Sequence, residues 1–379
     1  MAVIANIEDL RKRAKRRVPR MFFDYVDSGS YDENTLYANR RDLDDVSLQQ
    51  RVLVGVEGRT TKTTILGEEI AMPVALAPTG LAGMVYPDGE IHGCREAQKF
   101  GVPYTLSTVS ICSLEDVAAR SDRPFWFQLY VMRDRQFVAS LIERAKQAGC
   151  RTLVLTVDLP LQGQRHADIR NGLSVPVRLT FGNALNIATK PRWAFGMLRA
   201  KRWSFGNLNG YLGATETMKS MAEWVSRQFD PTITWDDVDW VRSQWDGKFV
   251  VKGILSREDA RIAAQHDINA IVVSNHGGRQ LDGAMSSVRA LAEVIDQVGD
   301  RMEVWVDGGV RSGADVLKMI TMGARCVLIG RAWLYGLGAM GAGGVRKTLE
   351  IIHKELDVAM ALSGTVRLDH LSETSDSQP

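Results

Sequence analysis

A histidine followed by two glycines and an arginine is the part of this 379-residue sequence that most clearly predicts chemistry. His276 comes directly after the apolar run AIVVSN, within the stretch SNHGGRQLD. The two glycines let backbone approach a ligand closely, and the planar guanidinium of Arg279 suits a carboxylate. A base beside a carboxylate clamp predicts removal of a proton from an organic acid.

A second cluster follows the apolar run TLVLTVD, which ends at Asp158. A carboxylate near the base would fix the imidazole tautomer and stabilise the imidazolium. By itself, Asp158 could equally cap the next helix. Arg165, in the stretch LPLQGQRHADIR, is a candidate for a second carboxylate clamp.

Glycines and arginines follow two later apolar runs, in VDGGVRSGADV and LIGRAW. The residues concerned are Gly308, Gly309, Arg311, Gly330 and Arg331. Barrels commonly bind a phosphate at this position, on backbone N–H groups and a helix N-terminus. A packing role for the glycines stays open. Lys252, at the end of FVVKGI, is a candidate for stabilising negative charge on a bound cofactor ring.

Two patterns argue against other cofactor or metal sites. The segment GLGAMG at 336–341 matches GxGxxG, but too little chain follows it for the βαβ unit that a dinucleotide site requires. The four cysteines have no CxxC pair and no zinc-type spacing. We expect no metal and reduced thiols in a cytosolic core.

Eight short apolar runs, each followed by a segment of helical period, must position these residues. The runs are 73–80, 103–108, 126–131, 152–158, 249–254, 270–275, 303–309 and 326–331. Near-continuous apolar runs fit strands that are covered on both faces. Eight such units predict a single α/β domain over 1–379, a (β/α)₈ TIM barrel whose active site lies at the C-terminal ends of the strands.

Three segments depart from this repeat. Residues 1–70 predict helices with a short hairpin, which would form a lid or cap. A long insertion follows the fourth strand; TETMKSMAEWVSRQ is helical in pattern, whereas 171–215 shows no clear helical period. Long insertions on this side of a barrel are usually functional. We expect 366–379 to be a disordered tail.

Composition and charge restrict the possible partners. The net charge of +2 gives no reason to expect nucleic acid. The N-terminus lacks the apolar segment of a signal peptide, and no window reaches the roughly 18 apolar residues of a spanning helix. The chain is therefore not expected to cross a membrane, although it can still lie on one.

Taken together, these residues resemble the FMN-dependent L-2-hydroxy acid oxidase and dehydrogenase family. The likeness runs from about residue 8 to 365 and is most specific in SNHGGRQLD and DGGVRSGADV. It implies His276 as the base, Asp158 as its partner, and Arg165 and Arg279 as the carboxylate clamps. Tyr25 and Tyr130 match family tyrosines at the substrate pocket, which we count as catalytic and substrate-binding residues.

The resemblance also implies an FMN cofactor. Its expected binding residues are Pro78, Thr79, Gly80, Ser107, Gln128, Thr156, Lys252, Ser274, Asp307, Gly309, Arg311, Gly330 and Arg331. Two positions depart from the glycolate oxidases. Gly80 stands where oxidases usually carry Ala and resembles the dehydrogenases that reduce membrane quinone. Val109, at the substrate side, replaces a Trp and implies a roomier pocket.

The insertion after the fourth strand predicts contact with a membrane. Residues 171–215 contain no Asp or Glu but six basic and six aromatic side chains, a composition suited to an interface. In the bacterial lactate and mandelate dehydrogenases of the family that the sequence resembles, a membrane-binding loop occupies this place. We expect 177–206 to hold the protein on the cytoplasmic face of the inner membrane. Residues 11–20 carry seven basic side chains, which would either assist this contact or form a solvated helix face. A mobile basic lid, a subunit contact and a soluble cytoplasmic protein are the alternatives.

The resulting prediction is a quinone-linked L-2-hydroxy acid dehydrogenase, with L-lactate first and (S)-mandelate second. An oxygen-dependent oxidase that releases peroxide is the alternative within the fold. A non-redox barrel with Lys252 as a Schiff base belongs to another class. Family likeness also implies a homotetramer.

Overall fold

The computed structural model describes residues 3–173, 178, 180–209, 211 and 218–369. Eight parallel strands form a barrel with helices around it, which confirms the predicted (β/α)₈ fold. Each of the eight apolar runs coincides with one barrel strand, and β7 begins one residue before its run. The strands are β3 Val74–Leu76, β4 Thr105–Ser107, β5 Trp126–Leu129, β6 Thr152–Thr156, β7 Lys248–Ile254, β8 Ala270–Val273, β9 Glu303–Asp307 and β10 Cys326–Ile329.

The strands follow one another around the barrel in chain order, and β10 pairs with β3. A bridge between Leu76 and Tyr104 joins β3 to the start of β4 and completes the ring. Because all eight strands are parallel, their C-terminal ends meet at one mouth. The chain must therefore bring the residues that follow each strand to a common place.

Helices precede the barrel and cover its outer surface. Before β3 lie α1 Ile7–Arg17, α2 Arg20–Asp27, α3 Asn34–Asp45 and the hairpin β1 Thr63–Ile65 with β2 Glu68–Ile70. Between the strands lie α4 Ala82–Val85, α5 Gly89–Phe100, α6 Leu114–Ala118, α7 Arg135–Gln147, α8 His166–Arg170, α9 Phe181–Ala188, α10 Pro191–Leu198, α11 Met218–Gln228, α12 Trp235–Ser243, α13 Arg257–Ala263, α14 Ser287–Val298 and α15 Gly313–Thr321. After β10 come α16 Arg331–Met340 and α17 Ala342–Leu362.

The N-terminal segment closes one end of the barrel and packs on the other. Ile65 of the hairpin joins the apolar barrel interior, where Trp126 and Trp305 stack with ring centroids 5.0 Å apart. Glu303 at the start of β9 accepts a hydrogen bond from the Leu66 backbone N–H. At the mouth, Asn39 of α3 exchanges amide hydrogen bonds of 2.8 Å with a residue beyond β8, Asn275. Of the two ends of the barrel, the described residues leave the mouth open for a ligand.

The insertion between β6 and β7 contains more helix than its sequence indicates. Helices α9 and α10 lie in the segment without a clear helical period, and a 3₁₀ turn follows at Gly206–Leu208. Both helices have local start signals: Thr180 caps α9 by accepting from the Asn183 N–H, and Pro191 opens α10. They are only eight residues long, too short for a strong periodic signal.

Several predicted segments can be compared with the described residues. The predicted disordered tail begins at residue 366, but the Val366 carbonyl accepts from the Thr60 N–H and Leu368 is buried, so packing extends at least to Leu368. Residues 370–379 of that tail lie outside the described part, as do 174–177, 179, 210 and 212–215 of the insertion.

All four cysteines are buried and unpaired, as predicted. Among the described helices, none has the length and apolar character needed to span a bilayer.

The GxGxxG segment lies mainly within α16, where its glycines allow helices to pack closely. A Cβ on Gly336 would lie 2.3 Å from the Gly344 carbonyl oxygen in α17. A Cβ on Gly338 would lie 2.8 Å from Val18. These glycines have a packing role on α17 and on the residues after α1.

We expect Gly336→Ala to lower the free energy of unfolding by roughly 1–3 kcal/mol, because the added methyl group overlaps backbone. Gly343→Ala is the matched control: it lies in the first turn of α17, and nothing lies within 4 Å of its added Cβ. Thermal denaturation of both variants measures the difference. Equal melting temperatures would contradict the packing role.

Candidate active site

A cavity of about 840 Å³ opens at the mouth of the barrel, and most of the predicted site residues line it. Those on its wall are Tyr25, Pro78, Thr79, Gly80, Ser107, Val109, Tyr130, Thr156, Arg165, Lys252, His276, Arg279, Asp307, Gly309, Arg311, Gly330 and Arg331. The other three, Asp158, Gln128 and Ser274, lie behind the wall and hydrogen-bond to residues on it. The predicted residues therefore meet at one place.

The histidine and the aspartate form a direct pair. Nδ1 of His276 lies 2.8 Å from Oδ1 of Asp158. His276 has φ 59°, a left-handed backbone conformation that is unfavourable for a residue with a Cβ. Its backbone N–H donates to Oγ of Ser274 at 3.0 Å, which helps to hold that conformation. The imidazole is thus fixed by contacts at its ring and at its backbone.

The electrostatics of Asp158 favour a charged carboxylate. Burial raises its pKa, but the nearby charges of His276 and Lys252 and the hydrogen bond from His276 outweigh burial, so the pKa lies below its usual value. A carboxylate at Nδ1 requires a proton on that nitrogen. The Nε2 atom of a neutral His276 is then the one left to accept a proton.

Two arginines and a tyrosine form one wall. The guanidinium carbons of Arg165 and Arg279 lie 5.5 and 4.9 Å from the centre of the Tyr25 ring. Arg279 Nη1 also donates to the backbone carbonyls of Tyr25 and Ser28, which fixes the guanidinium. Burial, followed by the charge of Arg165, lowers the pKa of Arg279. Two like charges held this close favour an anionic ligand between them.

A buried lysine on β7 reaches the ends of the next two strands, β8 and β9, at the barrel mouth. Lys252 Nζ donates to Ser274 Oγ at 2.7 Å and lies 3.0 Å from Asp307 Oδ2. Burial lowers its pKa, yet the charges of Asp307 and Asp158 raise it more, so the ammonium is retained. A charged ammonium does not act as the amine of a Schiff base. This disfavours the non-redox alternative.

Several buried polar atoms around the cavity lack a partner among the described residues. They are Oγ1 of Thr79, Nε2 of Gln128, Oγ1 of Thr156 and Oδ1 of Asp307. Oε1 of Gln128 is fixed by Ser107, so its Nε2 has a defined position. Buried polar atoms without a hydrogen bond are costly, and a concentration of them beside a cavity indicates a binding site for a polar ligand.

The ends of β9 and β10 form a site suited to a phosphate. Gly330 is the N-cap residue of α16, without a side-chain cap, and a Cβ there would meet no atom closer than 3.9 Å. The guanidinium of Arg331 donates to three backbone carbonyls, so it ties segments together. Arg311 also lines this part. Six basic residues line the whole cavity against two acidic ones, which favours anions.

Sequence reasoning missed three kinds of residue. Asp168 lies 3.2 Å from Arg165 on the wall, and its spacing one helical turn after Arg165 was the available signal. Asn207 is fully buried and hydrogen-bonds to Ser107, Thr108, Ser110 and Leu114, tying the insertion to the loop after β4. Apolar residues of the insertion also line the cavity. The sequence has no local pattern that would predict a role for Asn207 or for these apolar residues.

Comparison with known proteins identifies the family. A family model described as FMN-dependent dehydrogenase matches residues 14–377. The chain belongs to this family. As a member, this FMN-dependent dehydrogenase is an oxidoreductase that uses FMN.

Similar proteins share nearly the whole length of this FMN-dependent dehydrogenase. L-lactate dehydrogenase of Caulobacter sp. (strain K31) is 46% identical over 373 residues, 98% of each chain. L-lactate dehydrogenase of Pseudomonas syringae pv. syringae (strain B728a) is 45% identical over 370 residues, 97% of each chain. A solved structure of the monotopic membrane protein (S)-mandelate dehydrogenase matches with TM-score 0.93 and 35% identity over 98% of each chain. Mandelate oxidase matches with TM-score 0.83 and 38% identity, over 98% of this chain and 97% of that one.

The cavity fits the cofactor of the family. FMN has a flat ring system with carbonyl and ring-nitrogen atoms and an anionic phosphate. The unpaired polar atoms of Thr79, Gln128 and Thr156 suit the ring, and the uncapped N-terminus of α16 suits the phosphate. Bound FMN supplies a two-electron acceptor for the oxidation of a substrate.

One of these hydroxyl groups gives a direct test of the fit. We expect Thr156→Val to weaken FMN binding by roughly fivefold, because a lost hydrogen bond is worth about 1 kcal/mol. Thr105→Val is the control, since the Thr105 hydroxyl is equally buried and unpaired but lies away from the cavity. Titration of the flavin-free proteins with FMN, followed by flavin fluorescence, measures both affinities. Equal losses in the two variants would rule out a specific contact at Thr156.

Proposed function

We propose that this FMN-dependent dehydrogenase oxidises L-lactate to pyruvate and passes the electrons to membrane quinone, with (S)-mandelate as the second candidate substrate. The coarser activity, oxidation of a 2-hydroxy acid, is supported by relatives named for lactate and structural neighbours named for mandelate. The observation that carries it is the His276–Asp158 pair beside two arginines on one cavity wall. Lactate comes first because the named lactate dehydrogenases are more similar in sequence than the mandelate dehydrogenase.

In the proposed binding mode, Arg165 and Arg279 hold the substrate carboxylate. Nη1 of Arg165 lies 3.2 Å from Oδ2 of Asp168, whereas its Nε lacks a hydrogen-bond partner within the described structure and is available to a ligand. Arg279 is already aligned by two backbone carbonyls. Bidentate contacts of this kind fix the orientation of a carboxylate as well as its affinity. They would hold the 2-hydroxyl carbon near the base.

His276 is the proposed general base. Its Nε2 takes a proton from the substrate, and the resulting imidazolium is stabilised by Asp158 at Nδ1. Tyr25 and Tyr130 line the same cavity; burial, with the charge of Asp158 next, raises the pKa of Tyr130, so its hydroxyl remains a hydrogen-bond donor. These two residues are proposed to contact the substrate hydroxyl or carboxylate.

The proposed cofactor residues surround the ring and the phosphate. We assign Pro78, Thr79, Gly80, Ser107, Gln128, Thr156, Lys252, Ser274, Asp307, Gly309, Arg311, Gly330 and Arg331 to this role. Lys252 would favour negative charge on the ring by its ammonium. Val109 completes the substrate side, where a Cβ on Gly80 would lie 2.9 Å from it. The absence of that Cβ leaves room near the proposed reaction centre.

We expect L-lactate to bleach the flavin of the wild-type protein without oxygen, and His276→Gln to slow this step by about 10²–10⁴-fold while FMN remains bound. The amide cannot take the proton. His266→Gln is the control, because His266 forms a similar pair with Asp239 outside the cavity. Stopped-flow flavin absorbance with L-lactate, D-lactate and (S)-mandelate measures rate and preference. Wild-type reduction rates in His276→Gln would remove His276 from the mechanism, and no bleaching by any L-acid would refute the function.

Attachment to the membrane is proposed through the insertion. Phe181, Leu185, Phe195 and Leu198 on α9 and α10 are all more than half exposed, Phe181 at 80%. Exposed apolar side chains concentrated on two adjacent helices are typical of an interaction surface. The mandelate dehydrogenase of TM-score 0.93 is described as a monotopic membrane protein. The cytoplasmic face of the inner membrane is the proposed location, and a homotetramer the proposed assembly.

An oxygen-dependent oxidase remains the second candidate. The structural match to mandelate oxidase favours it, whereas Gly80 and the exposed insertion helices favour a membrane acceptor. Peroxide yield during turnover in air, compared with reduction of a quinone, distinguishes the two.

For membrane attachment, we expect the triple change Phe181→Ser, Leu185→Ser and Phe195→Ser to move the protein from floating vesicles of anionic phospholipid to the soluble fraction. The change removes buried apolar area at the interface. It is preferable to removing 177–206, which would also remove part of the cavity wall. Val52→Ser with Leu362→Ser, two exposed apolar residues elsewhere, is the control. Unchanged flotation of the triple variant would refute attachment through these helices.

A further inference from the structure

The cavity has a second part that the hydroxy acid does not need. Beyond the charged barrel mouth, its wall is supplied by the insertion and is mainly apolar. We call this part the outer chamber and define it by Ala194, Met197, Leu198, Trp203, Ala222 and Val225. Helix α10 supplies the first three and α11 the last two. A substrate the size of lactate, held by the arginines, has no use for so much apolar surface.

The outer chamber is continuous with the reaction site. Phe229, just after α11, lines the cavity and packs edge-on against Tyr130, with ring centroids 5.8 Å apart. Tyr130 is one of the residues at the proposed substrate position. An occupant of the outer chamber therefore lies next to the barrel mouth without an intervening protein layer.

The chamber also reaches the surface of the insertion. Leu198 and Trp203 line the cavity, and yet they are 77% and 45% exposed. The same helix α10 exposes Phe195, one of the side chains proposed to enter the membrane. The entrance beside Leu198 and Trp203 thus belongs to the surface that would face lipid. A ligand dissolved in the bilayer would enter without crossing water.

The chamber wall is anchored to the barrel. Trp193 Nε1 donates to the Met84 carbonyl at 2.9 Å, and the Trp193 ring stacks on Phe22 at 5.4 Å. Arg202 pairs with Asp88 and Asp116. These contacts hold α10 and its continuation at a fixed distance from the barrel, as expected of a largely preformed ligand site.

We propose that the outer chamber is the binding site for the electron acceptor, a lipid-soluble quinone that enters from the membrane between Leu198 and Trp203. The inference rests on the proposed function and specifies where its acceptor binds. Apolar walls match an apolar ring and tail, since transfer of such surface out of water is favourable. Overall, the hydroxy acid loses two electrons and two protons to become the 2-oxo acid, and the quinone gains both to become the quinol.

The test is to fill the chamber. Ala194→Phe and Ala222→Phe place a ring on the two helices of its wall, and Ala184→Phe makes the same change on the exposed part of α9, away from the cavity. Each protein is purified with FMN in detergent and reduced with L-lactate. Reoxidation is then measured with decylubiquinone and with ferricyanide, a small hydrophilic acceptor. Quenching of tryptophan fluorescence by decylubiquinone, without hydroxy acid, reports binding alone through Trp193 and Trp203.

We expect the ratio of decylubiquinone to ferricyanide reoxidation to fall at least about tenfold in Ala194→Phe, equivalent to 1.4 kcal/mol, with a matching loss of quenching. Ala184→Phe should keep the wild-type ratio. If Ala194→Phe does not retain FMN, Ala222→Phe decides. Wild-type ratios and quenching in both filled variants would overturn the chamber as acceptor site and leave the proposed function intact. If the wild-type protein itself does not reduce decylubiquinone, the proposed acceptor fails together with the chamber.

Discussion

The 2.8 Å contact between Asp158 and His276 joins the ends of two strands that are far apart in the chain, and the chemistry of the mouth depends on it. It requires parallel strands in one sheet, because these bring the residues after β6 and β8, on either side of β7, to the same edge. It also requires a left-handed backbone at His276, which the protein keeps through Ser274. A less favourable backbone conformation is thus accepted in order to aim one imidazole, as is common at active sites.

The second constraint is charge. Lys252 pairs with Asp307, and His276 pairs with Asp158. Arg165 and Arg279 lie together without an equivalent amount of negative charge beside them. Asp168 only partly balances them: burial raises its pKa, although the two arginines oppose this shift. The barrel mouth therefore has an excess of positive charge that a bound carboxylate and phosphate would neutralise.

The barrel and its mouth were predictable because each strand is a near-continuous apolar run and polar or glycine residues follow it. His276 and Arg279 follow β8 by three and six residues, and Lys252 lies two residues before the end of β7, so strand prediction places them at the mouth. Asn207 and the insertion helices were not predictable in this way. Asn207 acts through long-range hydrogen bonds to the loop after β4, which no local pattern reveals. Helices α9 and α10 are stabilised by contacts with α2 and α4, and their sequences are too short to show a helical pattern of apolar residues.

The insertion has two different faces, and this links location to chemistry. Its outer face exposes Phe181 and Phe195, whereas its inner face, with Ala194 and Met197, forms cavity wall. A helix that is apolar on both faces is stable in water only if at least one face is covered. The barrel covers the inner face only in part, since a cavity remains there. A membrane would cover the outer face, and an apolar ligand would cover the rest of the inner face. This explains why the same short helices carry both sets of apolar side chains.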